Sequence, residues 1–116
     1  VRLSAVEALE KIGALATDSL IVALHDANTT VRERASVALI KIGAPAIESL
    51  IVTLRDQNAD TRRLAAIALG KIGDRRALPE LDHLAQEGEG KTDEDQRAAF
   101  TARVAIENIR QRMKTE

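Results

Sequence analysis

Cysteine, tryptophan and tyrosine are absent from this 116-residue chain, and Phe100 is its only aromatic residue. Without cysteine there can be no disulfide, no thiolate nucleophile and no zinc site of the thiolate kind, and the thiol content gives no sign of secretion. Neither sign of charge dominates: 17 Lys and Arg stand against 18 Asp and Glu. That balance lacks the cationic footprint of a phosphate-binding surface, and the missing aromatics remove the platforms on which bases stack. No apolar run approaches the roughly 20 residues needed to cross a bilayer. No charged-then-apolar leader opens the chain, and cytoplasmic is the default location. The first residue is Val1 rather than Met, which suggests a piece of a longer protein.

What the chain does have is a core alphabet of Ala, Leu, Ile and Val. Apolar residues make up 45% and charged residues 30%, the balance of one folded domain rather than a disordered segment. Residues 1–30 recur as residues 31–60 without a gap. Val1, Arg2, Ala5, Ala8, Leu9, Lys11, Ile12 and Gly13 return as Val31, Arg32, Ala35, Ala38, Leu39, Lys41, Ile42 and Gly43. In all, seventeen of the thirty positions are identical. A period of this length marks a solenoid, in which each unit buries its apolar face by stacking on the next.

Within a unit the spacing predicts two helices. Ala35, Ala38, Leu39 and Ile42 mark one face of an outer helix, as do Ala5, Ala8, Leu9 and Ile12 before them and Ala65, Ala68, Leu69 and Ile72 after. Each run ends in Lys-Ile-Gly, at Lys11–Gly13, Lys41–Gly43 and Lys71–Gly73. Glycine just past a helix end accepts a left-handed conformation, and a lysine in the last turn suits the helix dipole. An inner helix follows, with Ile47, Leu50, Ile51 and Leu54 on one face and Pro45 in the first turn. Asp-x-Asn then leads into the next outer helix, with Thr30 or Asp60 expected as its N-cap.

The third unit starts in register at Thr61–Gly73, gains one residue in its turn at Asp74–Arg76, and is interrupted by extra residues around Gly88–Asp93. Periodicity resumes with Ala102, Val104, Ala105, Ile106 and Ile109. Arg110 stands where a glycine stop would be, so this last helix is expected to run from about residue 93 to about Met113. Thr92 and Asp95 form a capping box variant at its start, and Arg97, Arg103, Glu107, Arg110 and Arg112 cover its far side. The expected layout is one domain: repeats at 1–30, 31–60 and 61–97, the last with an inserted loop near 87–93, then a capping helix.

The Val-Arg opening (Val1–Arg2, Val31–Arg32, with Thr61–Arg62), the Ala-Leu-x-Lys-Ile-Gly close and the Leu-Ile-x-x-Leu-x-Asp-x-Asn of the inner helix and loop resemble the HEAT-like repeat, in its short form found in phycobiliprotein lyase subunits. The resemblance covers essentially the whole chain and implies an all-α solenoid. It also implies that the arginine after the opening valine reaches the loop aspartate, so that Arg32 with Asp26 and Arg62 with Asp56 form a buried ladder. The last helix has Ala99 at the arginine position and Glu87 at the aspartate position, and its rung is expected to be lost. Three functions accord with the resemblance: a protein-interaction scaffold, a subunit or chaperone related to bilin lyases that handles a tetrapyrrole, and a nucleic-acid-binding module. Charge balance disfavours the last, since Arg62, Arg63, Arg75 and Arg76 sit beside Asp60 and Asp74.

No residue set announces catalysis, a metal or a cofactor. His25 and His83, the only histidines, align with Arg55 and Val52 in neighbouring units, and no third ligand falls at helical spacing. Asp26 with Asn28 and Asp56 with Asn58 lack the further oxygens of a calcium loop. An enzyme is therefore not expected. The inner-helix wheel instead turns Val22 and Val52 away from the buried stripe, with His83 at the same place in the third unit. Flanked by Asp18, His25, Glu48 and Arg55, these residues form the candidate surface for another protein. Three inner helices, each about 16 Å long and about 10 Å apart, offer on the order of 500 Å². A stable interface buries about 800 Å² per partner, so the fragment is expected to bind weakly or with help from its loops, and to be a monomer or weak homo-oligomer.

Overall fold

The computed structural model describes residues 13, 15–87 and 91–115. The expected first outer helix with its Ala5, Ala8, Leu9 and Ile12, and residues 88–90 of the inserted loop, lie outside them. Helix α1 covers residues 15–23; α2 is Thr29–Ile42, α3 Ile47–Thr53, α4 Ala59–Ile72, α5 Leu78–Glu87 and α6 Asp93–Thr115. Among the described residues there is no strand. The outer helices α2, α4 and α6 pack side by side, α3 packs on α4, and α5 packs on α6. This is an all-α repeat fold, as the periodicity predicts, with α6 ending two residues beyond Met113.

The core lies between the two layers. Leu39, Ala65, Leu69, Ala102 and Ile109 of the outer helices meet Ile47, Leu50 and Leu81 of the inner ones, all fully buried or nearly so. Small residues set how closely the outer helices approach. A β-carbon built on Gly70 would lie 2.8 Å from the Ala105 methyl and 2.9 Å from its Cα, so α4 and α6 touch almost backbone to backbone at this point.

The stops work as their sequence implies. Gly43 and Gly73 have φ of 75° and 80°, and their N–H groups bond back to Leu39 and Leu69. Each turn then passes into one turn of 3₁₀ helix, Ala44–Ala46 or Arg75–Ala77, with Pro45 near the start of the first. In the third unit the added residue is put to use, because Asp74 Oδ1 accepts the Arg76 N–H at 2.8 Å and caps the turn.

Two local expectations need correction. Thr30 and Asp60 are not the N-caps; Asn28 and Asn58 are. Asn28 Oδ1 accepts from the amides of Thr30 (2.8 Å) and Val31 (3.3 Å), and Asn58 Oδ1 accepts from Thr61 at 3.1 Å. An Asn one residue before the first turn reaches the second and third amides, whereas Thr30 and Asp60 already lie inside the helix.

The arginine ladder is present but wired differently. Arg32 Nη1 donates to the backbone carbonyls of Asp26 (2.7 Å) and Ala27 (3.1 Å), while its Nε donates to the carboxylate of Asp60 in the next outer helix at 2.9 Å. Arg62 likewise donates to the carbonyls of Asp56 (2.7 Å) and Gln57 (3.0 Å), and through Nη2 to the Asp95 carboxylate. The carboxylates of Asp26 and Asp56 are not on the rungs because they fold back onto their own loops. They accept the amides of Asn28 (2.8 Å) and Asn58 (2.9 Å) two residues on, the turn that Asp favours. The rung at Ala99 is lost as expected, since the buried alanine carries no donor, but Arg62 of the preceding helix still ties α4 to α6. By register Arg97 stands where Asp60 stands in α4. Arg62 turns instead to Asp95, and its Nε, used by Arg32, is left buried without a partner.

Candidate partner-binding face

The inner layer carries the residues singled out from the sequence. On α1 these are Asp18 and Val22, with His25 just past the helix end; on α3, Glu48 and Val52, with Arg55 just past it; on α5, His83. All seven are exposed. Val22 and Val52 each stand 71% exposed, while Leu24, Leu50 and Leu54 beside them are fully buried or nearly so. An isolated exposed valine is ordinary. Two at the same register of successive units, on the same layer, make a short apolar strip along the stack.

The charged residues around the strip are mostly turned on one another. His25 Nε2 lies 2.8 Å from Asp56 Oδ1, while its Nδ1 lies 2.9 Å from the Ile21 carbonyl. Its counterpart one unit on, Arg55, reaches Glu80 with Nε at 3.1 Å and also with Nη2. Glu48 meets Arg76 at 3.4 Å, and Arg76 also holds Asp74 at 3.1 Å. His83 pairs with Glu87 on its own helix at 2.8 Å. The Arg55 hydrogen bond keeps the Glu80 carboxyl below its ordinary pKa, and Arg76 does the same for Asp74. His25 and Arg55 thus act as inter-unit braces. Sequence reasoning placed them on the face but missed this role; Glu80, the partner of Arg55, replaces the serine that the two earlier units share there as Ser19 and Ser49.

Between α3 and α5 these pairs border a cleft of about 410 Å³ lined by Leu54, Arg62, Glu80, His83 and Leu84 among others. Its charges are of both signs and are mutually engaged. Among the described residues no group of three or more His, Asp or Glu is placed to hold a metal ion, and no helix is long and apolar enough to cross a membrane. Three of the four arginines that could serve a phosphate are also committed, Arg62 to Asp95, Arg63 to Asp60 at 2.7 Å and Arg76 to Asp74, while Arg75 stands exposed.

Comparison with curated proteins yields no match. The family model for HEAT repeats, by contrast, matches residues 17–102, a span that runs from within α1 into α6 and takes in the stops at Gly43 and Gly73, both ladder arginines and nearly all of the inner layer. With paired helices stacked in two layers and more than half of its length matched, the chain belongs to the HEAT-repeat family.

Proposed function

We propose that this chain is a non-catalytic interaction module that binds another protein through its inner layer. HEAT repeats are commonly protein-interaction scaffolds and generally non-catalytic. The observation that carries the reading here is the register-matched pair Val22 and Val52, each 71% exposed. Each valine offers roughly 1.5 kcal/mol or more on full burial. The neighbouring His25, Arg55 and Glu48 are engaged along the stack, so they frame the strip and hold its two halves in register, while the valines, Asp18 and His83 meet the partner. The tetrapyrrole and nucleic-acid readings find less support, since each needs a cluster of uncommitted cations and Arg55, Arg62 and Arg76 are paired with carboxylates.

The test is quantitative affinity capture from a lysate with the native chain and with the V22K/V52K variant. Both positions are solvent-facing, so the variant keeps its helical circular dichroism and unfolding midpoint. The expected result is loss of the proteins retained by the native chain; an unchanged set of retained proteins would place the binding surface elsewhere.

A further inference from the structure

The most solvent-directed line of α6 is polar at its ends but interrupted at its centre by two apolar residues, Phe100 and Val104. Its buried residues, Ala98, Ala102, Ala105 and Ile109, define the face packed on α4 and α5. The line directly opposite, at alternating spacings of four and three, runs Asp93, Arg97, Phe100, Val104, Glu107, Gln111 and Lys114, all of them exposed. Such spacing is the seam pattern of paired helices. At its centre lie the chain's only aromatic residue, Phe100, 61% exposed, and Val104, 44% exposed. Arg103 sits 5.9 Å from the centre of the Phe100 ring and is itself anchored to the Ala85 carbonyl at 3.1 Å, which fixes the ring on the surface.

We propose that this line is a self-association surface, on which α6 pairs antiparallel with α6 of a second copy of the chain. The charges select both the occupant and the direction. Asp93, Glu94 and Asp95 open the helix, and Arg110, Arg112 and Lys114 close it, so a parallel pair sets like ends together and an antiparallel pair sets acid against base. With the two-fold axis level with Ala102, Phe100 meets Val104 of the second copy, Arg97 meets Glu107, and Asp93 meets Gln111, each contact occurring twice. A two-fold interface requires this self-complementarity. In register with Ser36 and Ile40 of α2 and with Ala66 and Gly70 of α4, α6 carries Arg103 and Glu107, charged side chains in place of the small ones that let α4 approach Ala105 so closely. One helix of 23 residues, about 34 Å long, gives an interface at the small end of the range for stable complexes, so the dimer is concentration-dependent.

Sedimentation equilibrium of the 116-residue chain tests the proposal. The native chain shows a reversible monomer–dimer equilibrium, and F100K weakens it by about 100-fold, since two phenylalanines are lost from one interface. R97E and E107R each weaken it by about 10-fold, and R97E/E107R together restore it. Circular dichroism verifies that each variant stays folded, and all three positions are exposed. A native chain that remains monomeric at millimolar concentration, or a dimer indifferent to F100K, or a double charge exchange that fails to restore association, would overturn it.

Discussion

The hydroxyl of Thr61, at the start of α4, donates a 2.9 Å hydrogen bond to the carbonyl of Leu24, 37 positions earlier in the chain. Both residues are sealed from solvent, Thr61 at 1% and Leu24 at 0% exposure. The bond gives the end of one inner helix a partner from the outer helix three helices later, and so staples the first described unit to the third. Substituting Thr61→Val, the residue that opens the two earlier units, conserves volume and removes the donor. The expected cost is about 1–2 kcal/mol, because a buried carbonyl loses its partner. Urea unfolding of the two proteins measures it, and an unchanged midpoint would mean that the carbonyl finds another donor.

The sequence pattern makes the stack legible because the core recurs among the identical positions: Ala35, Leu39, Leu50 and Leu54 repeat residues of the first unit, and each is buried. The Lys-Ile-Gly stops and the start of α6 are legible for the same kind of reason, since caps depend on a few residues at fixed offsets. The rungs are less so. Which oxygen of Asp26 or Asp56 an arginine meets depends on how the loop folds, and the loop claims the carboxylate first. Bonds between units are set by superhelical geometry, which a single repeat does not encode. Thr61 therefore reads as a mere variant of valine, and Glu80 as an exposed charge, until Leu24 and Arg55 are seen beside them. On the inner face, the helical wheel suffices to find Val22 and Val52 but not to tell braces from free side chains.

Asp60 receives Arg32 at 2.9 Å from the preceding unit and Arg63 at 2.7 Å from its own helix. Partial burial pushes its carboxyl upward, but the hydrogen bonds and charges of Arg63 and Arg32 together outweigh this and hold it below 3.8. Asp95 is lowered too, chiefly by its hydrogen bond from Thr92, with Arg62 contributing. A carboxylate whose folded pKa is depressed adds stability that is fully present above the unfolded value and is lost as pH falls through the folded one. Stability is thus expected to be level above about pH 5 and to fall below about pH 4. In D60N the loss between pH 5 and pH 3 is smaller than in the native chain. Urea midpoints at the two values provide the comparison; an equal loss in both proteins would show that Asp60 is not among the linked groups.

Gly70 offers the sharpest sign test of the packing. In an ordinary helix interior, replacing glycine with alanine stabilises by roughly 1 kcal/mol. At Gly70 the added methyl would lie 2.8 Å from the Ala105 Cβ and 2.9 Å from its Cα, distances that helix backbone rather than a flexible side chain would have to relieve. Displacing α6 from α4 also disturbs Arg112, whose Nη1 bonds to the Ile72 carbonyl at 3.0 Å and lies over Gly73. Overpacking of this kind costs about 1–3 kcal/mol, more than the propensity gain, so G70A is expected to be less stable than the native chain. A G70A/A105G pair returns the space and should recover much of the loss, beyond the sum of the two single changes. Thermal unfolding of the four proteins in that cycle decides it. Stabilisation by G70A alone would mean that α4 and α6 stand farther apart than this backbone contact requires.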